Sequence, residues 1–159
     1  MTIEVDNFDG GQNSRFSIVG LPDNAVKESQ ERVQSALRVN GYKAPFRSVV
    51  VNLAPADVRK EGSGFDLPMA VGVMLSFEFL KIDTPDRYMF VGELGLDGSI
   101  LPVKGVLPIS VKAREMGYEA LFVPAENARE AAVVNKLKVY GVSHLNDIVG
   151  FFNGSLSIE

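Results

Sequence analysis

Segments with helical periodicity alternate with short β-branched segments along the chain, and this order limits the possible folds more than any other feature. No internal repeat or low-complexity stretch interrupts it. The alternation predicts a mixed α/β fold. A chain of 159 residues, of which 46% are hydrophobic, can bury one sizeable core, so a single domain is the expected organisation.

Three strands are expected in the first third of the chain. Ile3 and Val5 alternate with polar residues in the first strand, and residues 16–19 (Phe-Ser-Ile-Val) form the second. The turn-forming residues at positions 7–14 indicate that these two strands form a hairpin. The β-branched segment 48–53 predicts a third strand that is buried in the core.

The two helices of the first half have recognisable start signals. Asp23 is in position to cap a helix at residues 24–39, which Gly41 ends. Asp66 is in position to cap a second helix, which is largely apolar and is therefore expected to be buried.

The second half of the chain combines a hairpin with a parallel unit. The pair Asp97-Gly98 favours a two-residue turn between strands at 88–96 and 99–103. Further along, the order strand, helix, strand implies a parallel βαβ unit. The remaining elements expected here are a helix at 107–116, strands at 120–123 and 137–141 around a helix at 125–134, and a short helix at 145–152.

The composition excludes several kinds of site. The sequence has no cysteine, which rules out disulfides, thiolate catalysis and cysteine-based zinc sites. The single histidine, His144, precedes a predicted helix and is interpreted as a packing or capping residue rather than a metal ligand. No apolar stretch approaches the roughly 20 residues that cross a bilayer, and the first residues lack a signal-peptide pattern. A cytoplasmic location is therefore expected.

The charges are unevenly distributed along the sequence. The net charge of −4 argues against nucleic-acid binding over the whole surface, but residues 15–60 include eight basic and only four acidic side chains. Residues 61–159 have the opposite balance, with eight basic and thirteen acidic side chains. The basic segment could face phosphates or an acidic partner, and the alternative is an ordinary solvated surface.

The loop at 52–66 is the best candidate for a functional site, because it collects charged and turn-forming residues between a buried strand and a buried helix. The N–H groups at the start of the helix could bind an anion, unless the Asp66 carboxylate already occupies them. Nucleophilic catalysis would need a serine and a lysine, and Ser63 with Lys104 or Lys60 is the candidate pair. The sequence has no Gly-Lys-Ser/Thr phosphate-binding loop, so this chain alone is not expected to hydrolyse ATP.

Four segments, 18–33, 51–68, 92–103 and 123–127, carry long family motifs, among them Gly-Glu-Leu-Gly-Leu-Asp-Gly-Ser-Ile-Leu-Pro-Val at 92–103. They resemble the N-terminal domain of the ComM/YifB group of magnesium-chelatase-like AAA+ ATPases. The resemblance implies a Lon-protease-like fold, an α+β two-layer arrangement with a mixed sheet, similar to domain 2 of ribosomal protein S5. It also implies one domain over residues 1–152, a tail at 153–159, and a downstream AAA+ module that binds ATP and Mg²⁺.

Where the chain departs from the motifs of active Lon-like peptidases, the comparison implies that this domain lacks peptidase activity. In active Lon-like peptidases the serine nucleophile lies in a Lys-Asp-Gly-Pro-Ser-Ala-Gly motif, and the matching Lys-Glu-Gly-Ser-Gly-Phe-Asp has Gly64 at the serine position. The lysine partner follows a Leu-Pro-Ile-Gly-Gly-Leu motif, and here Leu107 follows the matching segment 101–106. Ser63 and Lys104 would have to shift register to substitute, although small positioning errors already reduce catalysis strongly.

The resulting expectation is a non-catalytic accessory domain that helps a AAA+ ring to assemble or engages DNA or a partner. Related proteins are described as ATP-dependent proteases and as DNA helicases. The expected contact residues are Lys27, Arg32, Arg59 and Lys60. The expected partners are the protein's own AAA+ module, neighbouring subunits of a hexameric ring and DNA, with no membrane contact and no metal or cofactor in this domain itself. The alternative is an active Ser-Lys peptidase that uses Ser63.

Overall fold

The computed structural model describes residues 2–20, 22–43, 47–54, 62–134 and 136–154, and it has the predicted mixed α/β fold. The strands are β1 (Thr2–Asp9), β2 (Phe16–Val19), β3 (Arg47–Ala54), β4 (Tyr88–Phe90), β5 (Glu93–Leu94), β6 (Ile100–Leu101), β7 (Ala120–Pro124) and β8 (Lys138–Val142). The α-helices are α1 (Asn24–Val39), α2 (Asp66–Ser76), α3 (Val106–Glu115), α4 (Ala128–Ala131) and α5 (Leu145–Phe152), and short 3₁₀ turns lie at Gly11–Asn13, Pro85–Arg87 and Ala125–Asn127.

The first three strands form a sheet with β3 in the centre. β1 pairs with β3 in antiparallel register, from Thr2 opposite Ala54 to Asp9 opposite Arg47, and β2 pairs with the other side of β3 in parallel. The predicted hairpin between β1 and β2 is therefore wrong. The most buried strand of the three takes the position where both of its edges are paired. Local turn signals contain no information about such a non-local partner.

Helices α1 and α2 cover one face of this sheet, so this half of the chain has two layers. In β1, Ile3 and Val5 are half-buried and pack against the core, whereas Glu4 and Asp6 point to solvent. Gly72 of α2 lies so close to β1 that an added Cβ would come within 2.7 Å of a Val5 methyl carbon. The close approach of helix and strand therefore depends on a residue without a side chain.

The prediction for α1 is confirmed. The Asp23 side chain accepts a hydrogen bond from the Val26 N–H at 2.8 Å, and the helix covers the predicted residues 24–39. Gly41 follows with a φ of +84°, and its N–H donates to the Arg38 carbonyl oxygen at 3.1 Å. These bonds satisfy backbone groups at both ends of the helix.

The second sheet is parallel and has β7 in its centre, between β4 and β8. All five residues of β7 are buried, as is typical of a central parallel strand. The predicted parallel pairing of β7 and β8 is confirmed, with Ala120 opposite Lys138. The helix between them is shorter than predicted, since a 3₁₀ turn at Ala125–Asn127 precedes the four-residue α4.

The predicted hairpin around Asp97-Gly98 is confirmed only in its central part. β5 and β6 pair in antiparallel register, whereas β4 belongs to the other sheet. The loop has three residues rather than two, because the Gly95 N–H donates to the Ser99 carbonyl oxygen at 2.9 Å. Within the loop, only Gly98 has a positive φ, of +93°. A turn followed by a left-handed glycine is the usual geometry of such loops.

His144 caps helix α5, as the sequence indicated. Its Nδ1 accepts a hydrogen bond from the Asn146 N–H at 3.0 Å, and the Asp147 carboxylate accepts one from the His144 N–H at 3.1 Å. Because Nδ1 is an acceptor, Nε2 carries the proton and donates to the Asp97 carbonyl oxygen at 3.0 Å. Asn40 donates to the same oxygen at 2.9 Å, so the hairpin loop joins the ends of α1 and α5.

Within the described residues, no helix has both the length and the apolar character needed to cross a bilayer. The domain limits stay a prediction. Helix α5 ends at Phe152, and residues 155–159 of the expected tail lie outside the described part of the chain.

Candidate functional site at the start of helix α2

The start of α2 lies where α1 and β5 meet, and a buried carboxylate joins all three. Asp66 is completely buried and accepts hydrogen bonds from the Ser29 hydroxyl, from Arg32 and from the Leu94 N–H. The Arg32 Nε lies 2.5 Å from Oδ2 and a terminal guanidinium nitrogen lies 3.1 Å from Oδ1, so the contact is bidentate. The Leu94 N–H lies 3.0 Å from Oδ2.

Asp66 does not cap its own helix, so the capping prediction for this residue is wrong. Phe65 occupies the N-cap position, and no side chain caps the helix there. The carboxylate turns towards α1 because Arg32 offers two charge-assisted hydrogen bonds, which are stronger than a neutral bond to a backbone amide.

Arg32 belongs to this buried network more than to the surface. The side-chain hydrogen bond to Asp66 raises the pKa of Arg32, and it outweighs the opposing effect of desolvation. The nearby charges of Asp66, Glu93 and Glu28 act in the same direction. The side chain of Arg32 is 19% exposed and also approaches Glu28 at 3.6 Å. The guanidinium therefore neutralises Asp66 and keeps only a small surface for an external ligand.

The backbone N–H groups at the start of α2 are already used. Asp66 N–H donates to the Ser63 carbonyl oxygen at 3.2 Å, and Leu67 N–H donates to the Gly92 carbonyl oxygen at 3.0 Å. Pro68 has no N–H, and Met69 N–H donates to the Phe65 carbonyl oxygen at 3.1 Å. The first turn therefore offers no free donor of the kind that binds anions at helix starts. The hypothesis of an anion site at this point is wrong.

The candidate catalytic pair is not assembled in the structure. Ser63 is half-buried and Lys104 is exposed, and no hydrogen bond joins their side chains in the described part of the chain. Lys60, the other candidate partner, lies outside the described residues. At Gly64 an added Cβ would meet a Val91 methyl carbon at 3.4 Å, which is ordinary contact, so a serine side chain would not be excluded there by space.

The residues expected to contact DNA or a partner are only partly visible. Lys27 is exposed on α1, Arg32 is held by Asp66, and Arg59 and Lys60 lie outside the described residues. The Gly62 N–H donates to the Asp23 carboxylate at 3.3 Å, so the end of the loop lies against the start of α1. Across the described ranges, no three acidic or histidine side chains come together as a metal site.

Comparisons with known proteins agree with this fold. The family model described as subunit ChlI of Mg-chelatase matches residues 3–127. Competence protein ComM of Haemophilus influenzae is 41% identical over 154 residues, which are 97% of this chain and 30% of that protein. The uncharacterized protein YifB of Escherichia coli is 35% identical over 144 residues, which are 91% of this chain and 28% of that protein.

A more distant similarity extends to Lon proteases. Lon protease 2 of Bacillus subtilis is 29% identical over 102 residues, which are 64% of this chain and 18% of that protein. This match is consistent with the predicted Lon-like fold and with the mixed sheets of the structure. The chain spans less than a third of the length of these relatives. The match over residues 3–127 shows that the chain belongs to the family of the Mg-chelatase subunit ChlI, as its resemblance to the ComM/YifB group predicted.

Proposed function

We propose that this domain is a non-catalytic, Lon-like accessory part of a larger AAA+ ATPase, and that it serves ring assembly or the engagement of DNA or another partner. The observation that carries the proposal is the arrangement at the start of α2. A serine peptidase needs free N–H donors for the oxyanion beside its nucleophile. Here Gly64 stands at the nucleophile position, and the amides of Asp66 and Leu67 donate to backbone oxygens.

The length of the relatives supports a role as one part of a larger machine. This chain covers 30% of ComM and 28% of YifB, which leaves most of those proteins for other domains. In the full-length protein, ATP and Mg²⁺ would be bound by a AAA+ module that follows this domain, and the module would form a hexameric ring in the cytoplasm. The domain would then contact its own module and the neighbouring subunits.

The proposed contact surface lies around the start of α1 and the loop that leads to α2. Lys27 is exposed there, and the Gly62–Asp23 hydrogen bond holds the end of the loop close to it. Arg59 and Lys60 belong to the same loop and add two positive charges. Arg32 completes the proposed set, although its guanidinium is mostly engaged by Asp66.

The contact surface can be tested with the double variant Arg59→Ala, Lys60→Ala of the full-length protein. We expect weaker DNA binding and a shallower salt dependence, by about 0.9 per lost phosphate contact on duplex DNA. Ring assembly with ATP, measured by sedimentation velocity, is expected to weaken if the loop contacts a neighbouring subunit. The matched control is Lys112→Ala with Arg114→Ala, which removes two exposed charges from α3. If DNA affinity and assembly both equal those of the control, this contact surface is wrong.

The alternative, a Ser-Lys peptidase that uses Ser63, can be tested with a serine-reactive phosphonate. We expect no stoichiometric labelling of Ser63, because no lysine amine is bonded to its hydroxyl in the described structure. The readout is the mass of the intact protein and of its peptides after reaction. Labelling of Ser63 that disappears in Lys104→Ala but persists in Lys112→Ala would establish the peptidase and refute the accessory role.

A further inference from the structure

A cleft of about 390 Å³ lies at the C-terminal end of α1, beside β2 and β3. Four exposed basic side chains form its rim: Arg15, Arg38, Lys43 and Arg47. The floor is apolar, and three of its six residues are aromatic: it consists of Phe16, Leu37, Tyr42, Val49, Val73 and Phe77. Ser14 and Gln34 complete the lining, so none of the described residues that face the cleft is acidic. The cleft therefore combines a basic rim with a floor that contains aromatic rings.

Within the described residues, no acidic side chain forms an ion pair with the rim. Two guanidinium nitrogens of Arg47 donate to the side-chain oxygen of Asn7, at 2.7 and 3.1 Å. This amide oxygen is a neutral acceptor. Asp9 stands opposite Arg47 in the strand register, but its carboxylate accepts from the Gly11 N–H instead. The rim therefore attracts an external anion.

The floor offers flat apolar surfaces that are already held in place. Phe16, Tyr42 and Phe77 are half-buried, so part of each ring stays accessible from the cleft. The Tyr42 hydroxyl donates to the Asn146 side-chain oxygen at 2.7 Å, and its ring lies 5.6 Å from that of Phe79. Burial raises the pKa of Tyr42, so the phenol stays neutral beside a bound anion.

We infer that this cleft binds a short segment of single-stranded nucleic acid, with phosphates at the basic rim and a base against the aromatic floor. Positively charged grooves with aromatic stacking surfaces are the usual means of binding single strands. A double helix would contact the rim but leave the floor unused, because its bases are already stacked. An acidic peptide would match the charge but not the flat rings.

This cleft is a second surface, separate from the one proposed around Lys27. Arg38 lies at the opposite end of α1 from Lys27, roughly 16 Å away at 1.5 Å per residue. The inference therefore stands or falls independently of the loop at 52–66. A variant of Arg59 and Lys60 tests the first surface, and variants of the rim and floor test the second.

The rim is tested by fluorescence anisotropy with the 159-residue chain and a labelled oligodeoxythymidylate of about 12 nucleotides. This length lies within the site sizes of roughly 4–16 nucleotides that are typical of domains that bind single strands. For Arg38→Gln with Lys43→Gln we expect a loss of affinity of about tenfold at low salt. The slope of log affinity against log salt should become shallower by about 1.4, at about 0.7 per phosphate contact. Lys112→Gln with Arg114→Gln on α3 is the charge-matched control and should bind like the unchanged chain.

The floor is tested by comparing Tyr42→Leu with Tyr42→Phe. Leucine removes the stacking surface and should weaken binding at least about fivefold, while phenylalanine keeps the ring and should retain most of the affinity. Circular dichroism and thermal unfolding identify any variant that has lost its fold, and Phe16→Leu then provides a second test of the floor. Duplex DNA of the same sequence should bind more weakly than the single strand.

Three results would overturn the inference. The first is that the unchanged chain does not bind the oligonucleotide. The second is that the α3 control loses as much affinity as the rim variant, since binding would then depend only on overall charge. The third is that polyglutamate competes as well as the oligonucleotide while Tyr42→Leu binds normally, which would indicate a site for acidic proteins.

Discussion

Replacing Asp66 by alanine is expected to lower the free energy of unfolding by about 3 kcal/mol. The substitution removes a fully buried carboxylate and leaves the Ser29 hydroxyl and the Leu94 N–H without their acceptor. Breaking a buried ion pair typically costs about 3–5 kcal/mol. We expect a loss at the lower end of this range, because the Arg32 side chain is 19% exposed and its guanidinium can turn towards water. The shift of the urea midpoint at constant slope measures the change.

The chain contains a matched control for this prediction. Arg87 and Glu119 form an ion pair at 3.8 Å, but their side chains are 66% and 45% exposed. Surface pairs of this kind contribute about 0–1 kcal/mol, so Glu119→Ala should change the stability little. If Asp66→Ala costs no more than Glu119→Ala, the carboxylate does not hold α1, α2 and β5 together.

Replacing Phe122 by alanine is expected to lower the free energy of unfolding by about 3–5 kcal/mol. Phe122 is fully buried in the middle of β7, and its ring lies at 4.9 Å from Phe90, 5.1 Å from Tyr140, and 5.5 Å from both Phe151 and Phe152. These rings connect the second sheet to α5. Alanine would leave a cavity bordered by all of them, and domains are usually stable by only about 5–15 kcal/mol. Thermal and urea unfolding measure the loss.

Phe8 provides the matched control for Phe122, because it is the same residue type at a half-exposed position, with 50% of its surface accessible. Phe8→Ala should cost less than about 1.5 kcal/mol, since half of the ring is already in water. Phe122→Leu keeps much of the volume and should fall between the two alanine variants. Equal losses for Phe8→Ala and Phe122→Ala would contradict the central role of the aromatic cluster.

The elements that the sequence predicted well are those with strong local signals. For α1, the cap at Asp23, the helical spacing and the stop at Gly41 all agree, and the helix has the predicted residues. For α5, His144 precedes the apolar segment and caps it. The buried strands β3 and β7 were recognisable from their short β-branched or apolar segments. In each case the information lies within a few residues of the element itself.

The features that the sequence did not reveal depend on distant partners. The position of β3 between β1 and β2 follows from competition for the centre of the sheet, which no turn motif records. Asp66 is a good helix cap by local rules, but Arg32, 34 positions earlier, competes for it successfully. Conversely, the sequence alone identified Gly64 at the nucleophile position. Aligning a short segment with the peptidase motif is enough to show which residue stands there.

The sequence alone did not predict the basic cleft, although all four of its basic residues belong to the positive segment 15–60. Arg15 precedes β2, Arg38 lies in the last turn of α1, and Arg47 begins β3. Only the pairing of β2 with β3, and the packing of α1 over them, brings these side chains to one place. A count of charges along the chain predicts an excess of positive charge, but it does not predict on which part of the surface these charges lie.

The central position of β3 also sets the order in which this fold can appear during protein synthesis. β1 and β2 leave the ribosome first, yet the strand with which both pair begins only at Arg47. Thr2 cannot pair until Ala54, its partner in the register, has been synthesised. Until then the first two strands have unpaired edges, which are prone to associate with other chains. We therefore expect the nascent chain to need protection over this interval, and its first sheet to close only once the third strand has emerged.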